Sequence, residues 1–132
     1  MNWNFARTGA VMAAAVTLVA TAATAGDDDY AFQPVSTEVK TGKGVVVAMR
    51  LVNKLTGKPV TDAVIFRSRL DMSPDGMGQM TAPLAALPAT EPGVYVFRTD
   101  LVMAGGWSLK LMAKVQGEPA TIHGIVIFAA KD

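Results

Sequence analysis

Three methionines stand in one short segment that offers few apolar neighbours to pack against them. The segment covers residues 71–80 and places Met72, Met77 and Met80 around a proline and two glycines, which predict a loop. A thioether is a neutral, polarizable sulfur that prefers soft ions such as Cu(I) over hard ones. The chain has no cysteine and one histidine, so few other soft ligands are available. The spacing therefore points to a site for Cu(I) or Ag(I).

Two residues outside this segment are further candidate ligands. Met103 precedes a predicted tight turn at residues 104–106, and it adds a sulfur if that turn lies at the same end of the domain. His123, the only histidine, stands within a predicted strand. Because histidine titrates near neutral pH, its participation would make copper binding depend on pH. The candidate metal ligands are therefore Met77, Met80, Met103, Met72 and His123.

Each candidate also has an ordinary structural interpretation. Met72 continues the apolar alternation of the preceding strand and so fits the hydrophobic core. Met77 and Met80 also fit a role as cover for one open end of a β-sandwich, and Met103 fits packing before its glycine turn. A histidine in the middle of a strand is often solvent-facing. The alternatives stay open, and Met77 and Met80 are the better ligand candidates.

The N-terminus has the layout of a secretory signal peptide. Arg7 precedes an uncharged stretch at residues 8–22, and small residues at 23–25 form a cleavage site in front of three aspartates. We expect cleavage after Ala25 and a periplasmic or secreted protein without stable membrane insertion. An uncleaved anchor is the alternative, although the stretch barely reaches the roughly 20 apolar residues that a spanning helix needs.

The chain that follows the signal is small and electrically balanced. Without Arg7 it carries 11 Lys and Arg against 11 Asp and Glu, so its charge gives no case for a nucleic-acid partner. About 107 residues fit one domain, and the lack of cysteine leaves a hydrophobic core to stabilise it. No nucleophile elbow or phosphate-binding glycine loop occurs, so we expect a protein that is not an enzyme.

Alternation of apolar and polar residues predicts strands and no helix after the signal. The clearest strands are 45–52, 63–72, 94–101, 107–115 and 120–129, with weaker ones at 36–40 and 81–87. This spacing is typical of an antiparallel immunoglobulin-like β-sandwich of about seven strands. We therefore expect a signal peptide at 1–25, an extended lead-in at 26–43 and the sandwich at 44–132.

The alternation also assigns side chains to faces. Trp107 heads an apolar face and is expected to be the central aromatic of the core. In the strand 63–72, one face should carry Val64, Phe66, Ser68, Leu70 and Met72. The other face should carry Arg67, Arg69 and Asp71, and the arginines are expected to pair with nearby acids.

Three segments together resemble a known family. They are 45–64, with Gly-Lys-Pro-Val at 57–60; Pro-Gly-Val-Tyr at 92–95; and Met-Ala-Gly-Gly-Trp-Ser-Leu at 103–109. In this order and spacing they resemble the YtkA-like, or FixH-like, family of exported and membrane-anchored domains, over roughly residues 45–115. The resemblance implies a small β-sandwich outside the cytoplasm, of a kind associated with copper handling or heavy-metal efflux.

Two functions remain open at this point. The first is an accessory protein that binds copper-type ions through loop methionines and serves an envelope partner in metal efflux or delivery. The second is an interaction module without metal, whose exposed strand edges add a strand from a partner in an envelope efflux or assembly complex. Convergence of the methionine sulfurs favours the first, and a flat scatter over one surface favours the second.

Overall fold

Strands fill most of residues 27–132, the part of the chain that the computed structural model describes. The predicted signal peptide, residues 1–25, lies outside this range. Within it, no helix is long and apolar enough to cross a membrane. The nine strands are β1 (Tyr30–Pro34), β2 (Glu38–Lys40), β3 (Gly42–Asn53), β4 (Val64–Met72), β5 (Met77–Ala82), β6 (Leu84–Leu87), β7 (Val94–Leu101), β8 (Gly105–Lys114) and β9 (Ile122–Lys131). Two 3-10 turns, Asp27–Asp29 and Ser73–Asp75, complete the elements.

The strands form two sheets that pack face to face. One sheet has the order β1-β3-β7-β6 and the other the order β2-β9-β8-β4-β5. Neighbouring strands are antiparallel except for β2 and β9, which run parallel. The prediction of an all-β sandwich is confirmed. The strand number exceeds the expected seven because β1 forms ahead of the strand predicted at 36–40, and residues 77–87 divide into β5 and β6.

The core lies between the sheets and follows the predicted alternation in most strands. In β8, Trp107, Leu109 and Leu111 are at most 2% exposed, and Trp107 is fully enclosed as expected. The facing sheet contributes Met49 and Leu51 from β3. Burial of large apolar side chains of this kind contributes about 1.5–3 kcal/mol each relative to exposure, and the domain has no disulfide to add to it.

The predicted phase of β4 is wrong in its first half. Val64 and Phe66 are 63% and 52% exposed, whereas Ile65 packs against the core. The pairing of β4 with β8 shifts register between Ile65 and Arg67, so Phe66 is an extra residue on the β4 side. A β-bulge of this kind reverses which residues face inward. Beyond it, Leu70 is buried as the alternation predicts.

Gly124 of β9 lies directly against Phe32 of β1, in the other sheet. A Cβ atom added at Gly124 would overlap the phenyl ring of Phe32. We expect Gly124→Ala to lower the free energy of unfolding by about 1–3 kcal/mol, because a tightly packed core accommodates an added methyl group only by shifting. Urea unfolding measures the difference.

The matched control for this substitution is Gly78→Ala. A Cβ atom at Gly78 meets only the Cβ atom of Ser73, at an ordinary 3.8 Å. This substitution should change the free energy of unfolding by no more than about 0.5 kcal/mol. Equal stabilities for Gly124→Ala and the wild type would show that the Phe32 ring can move aside for a methyl group at no cost.

Candidate functional site

The methionine segment begins at a buried carboxylate near the end of β4. Asp71 is 1% exposed. Its Oδ2 atom accepts hydrogen bonds from Nε of Arg69 at 2.8 Å and Nζ of Lys110 at 3.0 Å. Its Oδ1 atom accepts the backbone N–H of Ser73 at 3.0 Å. Burial acts to raise the pKa of Asp71, but the hydrogen bonds from Ser73, Lys110 and Arg69 outweigh burial and hold it well below its usual range.

Arg69 extends this network to the far side of the segment. Its Nη2 atom donates to the carbonyl oxygen of Gly78 at 2.7 Å. Between Asp71 and Gly78, the Ser73–Asp75 turn is closed by a hydrogen bond from the N–H of Gly76 to the carbonyl oxygen of Ser73, at 2.9 Å. The prediction of a loop over residues 71–80 is therefore wrong in part. Met77 and Met80 lie on β5, because Arg69 and β4 hold that stretch at the sheet edge.

Two glycines allow the Ser73–Asp75 turn to sit on the start of β8. The N–H of Gly106 donates to Oδ2 of Asp75 at 3.0 Å. A Cβ atom at Gly105 would overlap Asp75 and would lie 2.7 Å from Cε of Met72. Gly105 also has a φ of 142°, which side chains disfavour. The turn and the β7–β8 connection are thus in direct contact.

The four candidate methionines, Met72, Met77, Met80 and Met103, lie at this end of the sandwich, which we call the methionine end. Met72 and Met77 are paired across β4 and β5, and Met80 follows on β5. Met103 stands two residues before Gly105, and its carbonyl oxygen accepts the indole N–H of Trp107 at 3.1 Å. Met72 is fully buried in the core, as its strand phase predicts, whereas Met77, Met80 and Met103 are 37%, 36% and 40% exposed.

His123 lies on another surface. It is exposed on β9, opposite Met112 of β8, on the outward face of the five-stranded sheet. Ser108, which pairs with Asp71, is four residues along β8 from Met112, a separation of roughly 13 Å. His123 therefore does not join the methionine end. Within residues 27–132, no group of three or more His, Cys, Asp and Glu side chains is placed to hold a metal ion.

Local sequence patterns identify only part of the network that builds this end. Asp71 and Arg69 stand two apart on one strand, which places them on the same face and predicts their pairing in general terms. The pairing expected for Arg69 is present. The roles of Lys110 and Asp75 depend on strand β8 lying beside β4, and no local pattern in the sequence indicates that.

Comparison with known proteins gives a family and two structural likenesses. A family model described as YtkA-like matches residues 24–112. The Lin-41 filamin domain is 17% identical, with 73% of this chain and 91% of that chain covered and a TM-score of 0.44. The ZirS C-terminal domain is 9% identical, with 100% and 88% covered and a TM-score of 0.45. No curated protein matches the chain.

Replacing the buried carboxylate should destabilise the domain in a pH-dependent way. We expect Asp71→Asn to lower the free energy of unfolding at neutral pH by about 1–3 kcal/mol, because charge-assisted hydrogen bonds from Arg69 and Lys110 are lost. The pKa of Asp71 is lowered on folding. The stabilisation is therefore full above the ordinary aspartate pKa, near 3.9, and is lost as the pH falls through the folded-state value.

Urea unfolding over a range of pH measures this effect. The difference in the free energy of unfolding between the wild type and Asp71→Asn should narrow steadily as the pH is lowered below about 4. Asp62→Asn, which removes an exposed carboxylate, is the control and should cost less than about 0.5 kcal/mol. A difference in the free energy of unfolding that is the same at neutral and acid pH would contradict the lowered pKa of Asp71.

Proposed function

We propose that this chain, which belongs to the YtkA-like family, is an exported accessory domain that carries Cu(I) or Ag(I) at its methionine end. Met77 and Met80 would bind the ion, with Met103 as a third sulfur. The observation that carries the proposal is the contact of the Ser73–Asp75 turn with Gly105 and Gly106. That contact joins two methionine-bearing segments at one end, while three of their four thioether side chains stay between 36% and 40% exposed.

The chemistry of the donor set supports a soft monovalent ion. Thioethers are neutral and polarizable, so they suit Cu(I) and Ag(I), whereas Mg²⁺ and Ca²⁺ take oxygen ligands. Asp75, the carboxylate beside these methionines, already accepts the N–H of Gly106. Two or three exposed thioethers bind an ion without enclosing it. A site of this kind suits transfer of an ion to another protein better than permanent storage.

The setting of this activity is part of the same proposal. The signal-like N-terminus supports action in the periplasm or as a secreted protein, and the resemblance of residues 45–115 to FixH-like domains supports metal efflux or delivery. The domain would receive or hand over its ion beside an envelope protein. No covalent chemistry is required of it, in keeping with a non-enzymatic role.

An interaction module without metal is the second candidate function. The four edge strands are only three to six residues long, and prolines at 83 and 88 flank β6. Short, proline-flanked edges resist the addition of a partner strand. A partner would therefore contact a sheet face, and the exposed side chains of Phe66, Ile125 and Ile127 favour the outward face of the five-stranded sheet.

Replacing the exposed sulfurs tests the metal proposal. We expect the reduced wild-type protein to compete with a chelator for Cu(I). The double variant Met77→Leu and Met80→Leu should bind at least about tenfold more weakly, because leucine keeps the volume and removes the sulfur. Circular dichroism should show the same β-fold in both proteins.

Met112→Leu is the matched control, since Met112 lies on the outward face of the five-stranded sheet. It should bind Cu(I) like the wild type. If the wild type fails to compete, or if Met112→Leu weakens binding as much as the double variant, the methionine end is not a copper site.

A further inference from the structure

The outward face of the five-stranded sheet combines apolar side chains with a cationic rim. A groove of about 330 Å³ lies there, and its floor includes Met112, Gly124 and Ile125. Arg67, Arg69, Lys110 and His123 also line it. The walls are almost entirely carbon, because arginine and lysine line them with their aliphatic stems and keep the charged ends at the rim.

Exposed apolar side chains lie in the groove and beyond it. Phe66, Ile125 and Ile127 are 52%, 61% and 57% exposed. The bulge in β4 turns Phe66 out of the core, as described above, and Ile125 and Ile127 alternate with buried neighbours on β9. Large exposed apolar side chains grouped on one face are characteristic of interaction sites.

The charge on this face is strongly one-sided. Register places Arg67 and Arg69 on β4 beside Lys110 on β8, and Lys114 follows on the same face. Asp71, the acid beside these cations, is buried and already bonded to Arg69 and Lys110. Glu38 of β2, farther along the same face, pairs with Lys131 at 3.4 Å. Since the chain outside the signal segment has balanced charge overall, this face concentrates positive charge that acids elsewhere compensate.

We propose that this face docks an acidic segment of a partner protein that also carries an apolar or aromatic side chain. The apolar side chain would enter the carbon-walled groove, and flanking carboxylates would pair with the rim cations. Arg69 and Lys110 are held by Asp71, at 2.8 Å and 3.0 Å, so they lose little side-chain freedom on binding. The inference does not rest on copper binding.

Charge and shape favour this occupant over two others. A second copy meeting the same face would bring its own arginines and lysines against these, and like charges oppose that pairing. A flat membrane surface would contact the exposed Ile125 and Ile127, but it has no single side chain that enters the groove. A narrow acidic segment meets both the groove and its rim.

A peptide titration in a metal-chelating buffer tests the inference. The probe is a synthetic peptide that alternates glutamate with leucine and phenylalanine, and its control replaces each glutamate with glutamine. NMR spectra of the isotope-labelled protein should shift at residues of the outward face on β4, β8 and β9. The affinity should fall as salt is added. The glutamine peptide should bind at least about tenfold more weakly.

Charge-reversal variants distinguish peptide binding at this face from attraction to positive charge elsewhere on the protein. Arg67→Glu with Lys114→Glu should abolish the shifts, whereas Lys54→Glu with Lys58→Glu makes the same charge change in the β3–β4 loop and should leave them. Equal loss in both variants, equal binding of the glutamine peptide, or no shifts at all would overturn the inference. So would binding to phosphatidylglycerol vesicles without peptide binding, or shifts that follow protein concentration alone.

Discussion

A carboxylate removed from water must be matched by charge and hydrogen bonds, and the end of β4 is organised around that requirement. Asp71 obtains its partners from three places: its own strand, the neighbouring strand β8 and the backbone of the following turn. Satisfying this one side chain fixes the position of Ser73, where the chain leaves β4. Through Arg69 it also fixes where Gly78 returns to the sheet edge. The positions of Met77 and Met80 therefore follow from this ion pair and from the pairing of β5 with β4.

The same ion pair serves two surfaces. Toward the methionine end it holds the Ser73–Asp75 turn, which can then lie on Gly105 and Gly106 because those residues have no side chains. Toward the outward face it orients Arg69 and Lys110 at the rim of a groove. A polar cluster at the margin of a sandwich thus positions a sulfur-rich end and a cationic face without adding to the hydrophobic core.

Much of the fold follows from local patterns, and much of the site does not. The alternation in β3 and β8 predicts the core residues, including Trp107, because each strand has one face in the core and its pairing is regular from Val45 in β3 and along β8 with β9. In β4 the same pattern misleads, since the bulge residue Phe66 is itself apolar and hides the change of phase. The segment at 77–82 has the composition of a loop and becomes a strand through its partner β4. The placement of His123 depends on which face of β9 is outward, which only the topology of the sheet determines.

The parallel pairing of β2 with β9 has a mechanical consequence. Residues 37–41 and 129–131 are joined by a run of backbone hydrogen bonds that includes Thr41 to Lys131 at 3.0 Å and Ala129 to Thr37 at 2.8 Å. Because the two strands point the same way, tension applied before β2 and after β9 pulls them lengthwise past each other. The bonds are then loaded together in shear instead of opening one at a time.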